Sequence, residues 1–473
     1  MIEVNTNNEK IKNELADVAK LFSAVCDDIS VFHSGDDGVL WRDGFSANAC
    51  GREIARSFEA PALKDPDPLE VIRQRKRFCK NALYSLLKEA TNYQPPWGSL
   101  TGIRPTRLLY EYIERGFSPS QALSKLMDDF DLSGEKAALL GRIHEMQRGI
   151  YAAPDDAFDV YIGIPFCPTR CAYCSFVSFD MARGMNFAQP YVEALIAEMK
   201  ACAADMRNLG KNVRALYIGG GTPTALPLPL FEKMLNAASD CFGRAGEFTV
   251  EAGRPDSIDA DKLRAIKRSG ADRISINPQT MNDKTLEKIG RRHSSADIVS
   301  AFDLSRSLGF GHINADIIAA LPGETSADFA LTLERLHPLS PESITVHTLA
   351  IKRSSRLKES SYAQSSHREA QEMVKSAALY ADSNGYEPYY LYRQKYMAGN
   401  LENVGYCRPG FQCAYNIDIM EETTPILAFG AGAISKWLYD SGRRIERAAN
   451  VKNVEEYIAR TGEMIERKRR LYF

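Results

Sequence analysis

The stretch Y-I-G-I-P-F-C-P-T-R-C-A-Y-C-S-F, Tyr161 to Phe176, places three cysteines in one short loop. Cys167, Cys171 and Cys174 are separated by three and then two residues, close enough to converge on one small metal centre. Thiolate ligands favour zinc or iron–sulfur clusters. A structural zinc site normally has four ligands, and no fourth Cys or His lies nearby. We therefore favour a cluster with one open iron over zinc, and both over three thiols that meet by chance.

The spacing of this loop resembles the C-x-x-x-C-x-aromatic-C motif of the radical S-adenosylmethionine (SAM) superfamily. The aromatic position is Tyr173, and the apolar run Val160 to Ile164 precedes the loop as a first barrel strand would. The resemblance implies a [4Fe–4S] cluster held by Cys167, Cys171 and Cys174. It also implies that SAM binds the open iron through its amino and carboxylate groups.

Composition sets limits on the class of protein. The chain has 473 residues, enough for two or three domains, with 44% hydrophobic and 25% charged residues and a net charge of −2. With this net charge we expect no broad basic surface, so nucleic acid is not favoured as a partner. The polar N-terminus does not resemble a signal peptide, and no apolar run is long enough to span a bilayer. We expect a cytoplasmic protein whose remaining cysteines are free thiols.

Residues 1–152 are predicted to form an N-terminal α+β domain. Apolar spacing predicts a helix over Ile11–Val25 and further helices between Leu69 and Ile150, and Ile29–Trp41 reads as a hairpin. The basic run Arg73–Arg77 is predicted to be a solvated helix face, and His33 to be a surface or packing residue rather than a ligand.

Residues 153–355 alternate between strand and helix, which predicts an α/β fold with parallel strands and right-handed crossovers. Six such units make a partial (βα)6 barrel, and the pattern supplies no seventh or eighth. Functional residues on such barrels gather at the carboxyl ends of strands. The predicted strands are Val160–Ile164, Ala215–Ile218, Phe248–Glu251, Arg273–Ile276, His312–Ile318 and Ser343–His347.

Residues 356–473 form a C-terminal α+β region that we expect to cover the substrate. Tyr389–Tyr396 is predicted to be a strand, in which alternate side chains share a face. Arg393 and Lys395 would then point together and could bind substrate carboxylates. The alternative is a half-buried strand with a solvated basic face.

A glycine-rich loop, Gly219-Gly220-Gly221-Thr222-Pro223, follows the second strand. Glycines let the backbone approach a ligand closely. An ordinary strand-to-helix turn would look the same in isolation. After a three-cysteine loop, however, the segment resembles the radical SAM element that holds the methionine amino group, which assigns Gly220, Gly221 and Thr222 to SAM binding.

Further polar side chains lie at or near strand ends: Glu251, Gln279, Arg291 and Asp316. Each alone could be a structural polar group. Together their spacing resembles that of the anaerobic, oxygen-independent coproporphyrinogen III dehydrogenases (oxidases), in which the corresponding positions contact SAM. The same resemblance assigns SAM contacts to Tyr161, Tyr173 and Ala350.

The resemblance extends beyond the barrel to a long, HemZ-type variant of that family, through Pro96–Thr106, Tyr392–Tyr406 and Leu427–Lys436. Two departures are visible. Cys174 is followed by Ser175 and Phe176, where the better-known bacterial type has C-G-C. The H-N-x-x-Y-W motif of related haem chaperones is replaced by A-Y-N-I-D-I at residues 414–419, which weakens a haem-carrier interpretation without excluding it.

The resemblance implies radical decarboxylation. An electron from the reduced cluster cleaves SAM, and the resulting 5′-deoxyadenosyl radical removes hydrogen from a propionate β-carbon, after which CO₂ leaves and a vinyl group forms. Two propionates of coproporphyrinogen III would be converted, giving protoporphyrinogen IX. Flavodoxin or ferredoxin would supply the electron, and the final acceptor is unknown. The alternatives are a haem-binding chaperone and a radical SAM enzyme with another substrate.

Overall fold

The computed structural model describes residues 1–37, 40–62, 68–102, 104–176, 178–243, 245–352, 355–359, 366–394, 397–442 and 444–473. The chain forms two compact units. The first comprises Met1–Gly141 with Gly399–Leu401, and the second comprises Arg142–Ala398 with Glu402–Phe473. None of the helices among the described residues is long and apolar enough to cross a membrane.

The first unit contains a four-stranded sheet in the order β1-β2-β3-β4, in which β1 is parallel to β2 and the other neighbours are antiparallel. The strands are β1 (Ile2–Thr6), β2 (Ile29–Asp37), β3 (Leu40–Ala49) and β4 (Arg52–Pro61). The predicted hairpin is confirmed as β2 and β3. The edge strand β4 was not predicted, because its side chains are mostly exposed and carry little apolar alternation.

Helices α1 (Lys12–Lys20) and α2 (Pro68–Thr91) pack against this sheet. They are followed by α3 (Pro105–Glu114), α4 (Pro119–Phe130) and α5 (Gly134–Gln147). Leu15 and Val18 of α1 and Leu83 and Leu87 of α2 are fully buried in one apolar core with the inner face of the sheet. The predicted helical spacing is confirmed, because these positions recur on one face of each helix.

The second unit is built on one large sheet. The strands in the first part of this unit are β5 (Ala157–Ile164), β6 (Phe166–Cys167), β7 (Phe179–Asp180), β8 (Asn212–Gly220), β9 (Glu247–Glu251), β10 (Arg273–Ser275), β11 (Ile313–Ala319) and β12 (Ser343–Thr348). Strands β6 and β7 pair with each other in a separate two-stranded sheet. All six predicted strands are present. They pair in parallel in the order β5-β8-β9-β10-β11-β12, the central part of an 11-stranded sheet. The fold is thus a partial, open barrel.

The C-terminal strands extend this sheet at both ends. They are β13 (Glu387–Tyr392), β14 (Asn403–Cys407), β15 (Ile426–Phe429), β16 (Ile434–Tyr439) and β17 (Arg444–Ala449). Strand β15 pairs in parallel with β5, whereas β14 pairs antiparallel with β12. Both edges of the six-stranded core are therefore covered by segments that come from the last quarter of the chain.

The connecting helices are α6 (Met181–Asn208), α7 (Leu228–Phe242), α8 (Ala260–Arg268), α9 (Asp283–Lys288), α10 (Ser295–Ser307), α11 (Ser326–Leu336), α12 (Arg356–Glu359), α13 (His367–Ser383), α14 (Ala414–Glu421), α15 (Val454–Ala459) and α16 (Thr461–Tyr472). Side chains of Asp259, Ser294 and Thr325 cap the backbone at the starts of α8, α10 and α11. Because a helix follows each parallel strand, the carboxyl ends of the strands share one edge, where the loops converge.

Candidate functional site

The cysteine loop leaves the carboxyl end of β5. Cys167 lies in β6, Cys167 and Cys171 are buried, and Cys174 is half-buried. The Cys174 amide donates to the Cys171 carbonyl at 3.2 Å, so these two cysteines share a turn. The Ala172 amide donates to the Ile289 carbonyl at 2.9 Å, which ties the loop to the segment after α9.

The spacing of the sulfur atoms bears on the kind of metal centre. Zinc holds tetrahedral sulfur ligands about 3.8 Å apart, since each Zn–S bond is about 2.3 Å. Among the described residues, the groups of His, Cys, Asp and Glu whose ligand atoms all lie within 4.8 Å of one another do not include these three cysteines. At least one pair of these sulfur atoms is therefore more than 4.8 Å apart, which disfavours a single zinc ion and favours a larger iron–sulfur cluster.

Two of the three thiols need a metal to ionise. Burial raises the pKa of Cys167 to about 11, although the Thr222 hydroxyl lowers it, and burial also raises the pKa of Cys174. Both thiols are therefore protonated at neutral pH without a metal. A metal centre would displace these protons, because a coordinating thiol is deprotonated.

The glycine loop packs directly on the first cysteine. Gly220 has a φ of +109°, in a region that glycine adopts without steric cost. A Cβ atom on Gly221 would lie 2.7 Å from the Phe166 carbonyl oxygen and 2.9 Å from Cys167 Sγ. The Thr222 amide donates to the Phe166 carbonyl at 2.7 Å, and its hydroxyl lies 3.6 Å from Cys167 Sγ. Only glycine fits this cradle, which leaves backbone close to the metal site.

Glu251 ends β9 beside the same loop. The Tyr217 hydroxyl donates to Glu251 Oε1 at 2.7 Å, and a Cβ atom on Gly219 would lie 2.9 Å from Glu251 Cδ. Burial raises the pKa of Glu251 to about 7, against the lowering effect of the Tyr217 hydrogen bond. The carboxyl group is therefore partly protonated near neutral pH and can both donate to and accept from a ligand hydroxyl.

Gln279 follows β10 with a strained backbone. Its φ is +68°, and its amide donates to the Asp316 carbonyl at 2.9 Å. Its side-chain oxygen is buried and has no hydrogen-bond partner within the part of the chain that the structure describes. Strained backbone and unsatisfied buried polar atoms both concentrate at functional sites, so this amide oxygen is available to a ligand.

Asp316 lies in β11 and is held by neighbouring strands. Asn314 Nδ2 donates to Asp316 Oδ1 at 2.7 Å, and His347 Nε2 lies 3.6 Å from Oδ2. His347 Nδ1 is in turn 3.1 Å from the Tyr392 hydroxyl. Burial raises the pKa of Asp316, but His347 and Asn314 outweigh it, so the pKa lies below its ordinary value. Asp316 is an ionised acceptor at neutral pH.

Arg291 contacts the cysteine loop from the segment after α9. Its Nη1 donates to the Asn277 carbonyl at 2.5 Å and its Nη2 to the Tyr173 hydroxyl at 3.2 Å. Its Nε is buried without a hydrogen-bond partner among the described residues. A guanidinium with an unused donor beside the metal site suits a ligand carboxylate.

Tyr161 and Ala350 lie on opposite flanks of the six parallel strands, on β5 and just after β12. The Tyr161 ring stacks at 6.3 Å on Tyr415, and a Cβ atom on Gly220 would lie 3.4 Å from its hydroxyl. Tyr161 thus reaches the glycine loop. Ala350 forms a bridge with Met397, which places it beside the returning C-terminal segment.

The predicted arrangement of the two basic residues is wrong for Arg393. Strand β13 ends at Tyr392, so Arg393 is not on a strand face. The chain leaves the sheet there, and Arg393 is only 7% exposed, not solvated. Burial lowers its pKa to about 10, against the opposite effect of Glu402, so it remains a cation. Lys395 lies outside the described residues.

Two residues near the site escaped the sequence analysis, namely His347 and Arg254. His347 lies in β12, and Arg254 follows β9 by three residues. Arg254 Nη1 donates to the Thr169 carbonyl at 2.9 Å and lies 4.0 Å from Cys171 Sγ. The rule that functional side chains gather at carboxyl ends of strands would have found both.

The chain is similar to known proteins. Residues 161–336 match the Radical SAM superfamily. The chain is 36% identical to the oxygen-independent coproporphyrinogen-III oxidase-like protein HemZ of Bacillus subtilis, over 95% of this chain and 93% of that protein. It is 34% identical to the heme chaperone HemW of the same organism, over 40% of this chain and 50% of that protein.

A solved structure has the same fold. Coproporphyrinogen III oxidase (HemN) from Escherichia coli, a radical SAM enzyme, superposes with a TM-score of 0.55 at 23% identity, over 70% of this chain and 74% of that one. The chain therefore belongs to the radical SAM superfamily and to the family of the coproporphyrinogen-III oxidase-like protein HemZ, and its cofactors are a [4Fe–4S] cluster and SAM.

Proposed function

We propose that this protein is a radical SAM oxidoreductase that decarboxylates two propionates of coproporphyrinogen III to vinyl groups, giving protoporphyrinogen IX. Its similarity to HemZ along nearly the whole chain supports this substrate class. The single observation that carries the proposal is the packing of Gly221 and Thr222 on Cys167, because it joins a three-thiolate centre to a backbone cradle for a small ligand.

Each predicted site residue receives a role. Cys167, Cys171 and Cys174 hold the cluster. Gly220, Gly221 and Thr222 bind the methionine part of SAM, whose carboxylate is gripped by Arg291. Ionised Asp316 and partly protonated Glu251 hydrogen-bond the ribose hydroxyls, and Gln279 adds its free acceptor oxygen. The remaining contacts to SAM come from Tyr161, Tyr173 and Ala350.

When bound, the reduced cluster and SAM supply a radical that takes hydrogen from the substrate. The protein's own residues fix the geometry and exclude water. Tyr161, Tyr217 and Tyr415 stack inside the barrel, with the Tyr217 and Tyr415 ring centroids 4.7 Å apart. These rings form an apolar wall beside Glu251, to which the Tyr217 hydroxyl donates.

Helix α14 supports an enzyme over a haem carrier. It occupies the sequence position of the chaperone motif, but its residues are committed to packing. The Ala414 amide donates to Glu247 Oε2 at 2.8 Å, and Asp418 pairs with Arg214 Nε at 2.8 Å. Tyr415 is buried in the aromatic stack. The histidine of the chaperone motif is replaced by Ala414, whose side chain cannot bind a haem iron.

Substrate carboxylates need cations in the second unit. Arg393 is our proposed contact, because a buried guanidinium can bind a carboxylate through two charge-assisted hydrogen bonds. Tyr390 and Tyr392, stacked at 6.3 Å, would supply an aromatic wall for the tetrapyrrole. The electron would come from a flavodoxin or ferredoxin.

Anaerobic assay of the reconstituted protein tests the proposal. With coproporphyrinogen III, SAM and a reductant, mass spectrometry should detect products that have lost one and then two CO₂, together with 5′-deoxyadenosine. Haem should bind weakly. Tight, saturable haem binding without decarboxylated product would instead establish the carrier, as in the relatives named heme chaperones.

A further inference from the structure

Buried guanidinium groups lie around the cluster cysteines, and one of them contacts a sulfur directly. Arg254 Nη1 lies 4.0 Å from Cys171 Sγ, and the buried guanidinium of Arg291 also acts on this thiol. Cys167 faces the Thr222 hydroxyl. A fixed positive charge therefore stands against Cys171.

Arg254 is held rigidly in this position. Its side chain is 3% exposed, and Nη1 donates to both the carbonyl and the hydroxyl oxygen of Thr169, at 2.9 and 2.8 Å. Its Nε and Nη2 donate to the two carboxylate oxygens of Asp256 at 2.9 and 2.6 Å. The charge near Cys171 is thus fixed by the fold rather than carried on a mobile side chain.

Asp256 partly balances that charge. Burial raises its pKa, but His293 and Arg254 outweigh it, so the pKa lies well below its ordinary value and the carboxylate stays ionised. His293 Nδ1 lies 3.5 Å from Asp256 Oδ1, the oxygen that also accepts from Arg254 Nε. Arg254 thus places a positive charge against one cluster ligand, Cys171. Asp256 binds the other side of the Arg254 guanidinium and adds a negative charge behind it.

We propose that Arg254 and Asp256 set the reduction potential of the cluster with opposite signs. The step concerned is addition of one electron to the cluster from a low-potential donor of the reduced flavin or iron–sulfur class, with no bond made or broken. A nearby cation stabilises the more negative, reduced state, and an anion destabilises it. Arg254 raises the potential and Asp256 lowers it.

The inference depends on the cluster alone and not on coproporphyrinogen III as substrate. It can therefore fail while the proposed function holds, and the reverse. Arg254 is a positioning and tuning residue. A purely structural role, clamping Thr169, would affect cluster retention but would not give shifts of opposite sign in the two variants.

The test is a potentiometric titration of the anaerobically reconstituted protein, followed by the EPR signal of the reduced cluster. At the wild-type midpoint, Arg254→Gln should lower the ratio of reduced to oxidised cluster about tenfold, which is about 59 mV for one electron. Asp256→Asn should raise the same ratio, and Arg254→Lys should stay near wild type. Arg292→Gln, at an exposed neighbouring position, is the matched control and should change little, because water screens its charge.

Equal potentials for Arg254→Gln and wild type at full iron content would overturn the proposal. So would shifts of the same sign in Arg254→Gln and Asp256→Asn. If Arg254→Gln fails to retain iron, the Asp256→Asn titration decides alone: a raised potential supports the proposal, and an unchanged or lowered one refutes it.

Discussion

Two clusters of potential metal ligands, one in each unit, have opposite designs. In the first unit, ligand atoms of His33, Asp43 and Cys79 lie within 4.8 Å of one another, the spacing a single ion needs. Arg75 already fills that place: its Nη1 lies 2.7 Å from Cys79 Sγ and 2.6 Å from Asp43 Oδ2. In the second unit, at least one pair of the cysteine-loop sulfurs lies more than 4.8 Å apart.

The difference teaches that ligand types alone do not make a metal site. The buried group of the first unit is internally satisfied, because the guanidinium supplies the positive charge a metal would bring, and the Thr6 hydroxyl hydrogen-bonds His33 Nδ1 at 2.7 Å. The cysteine loop site instead keeps unsatisfied atoms, such as Gln279 Oε1 and Arg291 Nε, within the described residues. Unsatisfied buried polar atoms mark the functional site, whereas the fully paired cluster of the first unit is a structural lock.

Replacing a cysteine should give the largest difference between the two clusters. Cys171→Ala should abolish reductive cleavage of SAM to 5′-deoxyadenosine, because the cluster loses one of three ligands. Cys79→Ala, also at a buried cysteine beside an arginine, should retain cleavage. Chromatographic assay of 5′-deoxyadenosine measures both, and a Cys79→Ala protein without activity but with its fold intact would contradict the assignment.

Removing Arg75, the cation inside the cluster of the first unit, should lower stability rather than catalytic activity. Arg75→Met leaves Asp43 buried without its charged partner, and we expect a loss of ~3–5 kcal/mol in the free energy of unfolding of the first unit. The control is Arg56→Gln, which removes an exposed pair with Glu89 at 2.8 Å and should cost at most ~1 kcal/mol. Urea denaturation compares the two. Equal losses would show that the cluster is not a lock.

Arg393, one of the buried cations in the second unit, should affect substrate binding. Arg393→Ala should raise KM for coproporphyrinogen III by roughly ten- to hundredfold, since a charge-assisted hydrogen bond contributes ~1.5–3 kcal/mol. SAM cleavage without substrate should persist, and Arg393→Lys should recover part of the affinity. Unchanged KM and kcat in the alanine variant would move the carboxylate site elsewhere.

One carboxyl group in each unit should make the free energy of unfolding depend on pH, and the two dependences should have opposite signs. The pKa of Glu251 is raised from 4.5 to about 7, so between these values the folded chain binds more protons than the unfolded one and the free energy of unfolding falls as pH rises. Asp43 behaves oppositely. Its pKa is lowered from 3.8 by His33 and Arg75 against the raising effect of burial, so its contribution is present above pH 3.8 and is lost on acidification.

Glu251→Gln removes the first of these dependences. Relative to wild type, the variant should gain stability steadily from pH 5 to pH 7, with little further change above. Denaturation series at several pH values measure the difference. A constant difference across this range would mean that the pKa of Glu251 is ordinary.

The sequence predicted the six parallel strands and the cysteine loop because both are local patterns. It could not predict that β15 would pair with β5, since Leu427 and Val160 are brought together only by the fold. Nor did it place Arg393, because the end of β13 depends on how the chain turns after Tyr392. Both cases depend on contacts between segments distant in sequence.

Arg75 shows a different kind of failure. The run Arg73–Arg77 was expected to be a solvated face, yet Arg75 is 7% exposed. Its position was nevertheless encoded, because residues 75, 79, 83 and 86 fall on one face of α2, and that face is buried. The high charge of the run suggested an exposed face, although the helical period placed Arg75 on the buried one.

Counting metal in the whole protein tests the comparison most directly. After anaerobic reconstitution in the presence of iron, sulfide and zinc, we predict about four irons and four sulfides per chain, as for one [4Fe–4S] cluster. Cys79→Ala should give the same count, and Cys167→Ala should hold almost no iron. One zinc per chain without iron, or iron lost from Cys79→Ala while Cys167→Ala keeps it, would contradict the assignment of the metal to the cysteine loop.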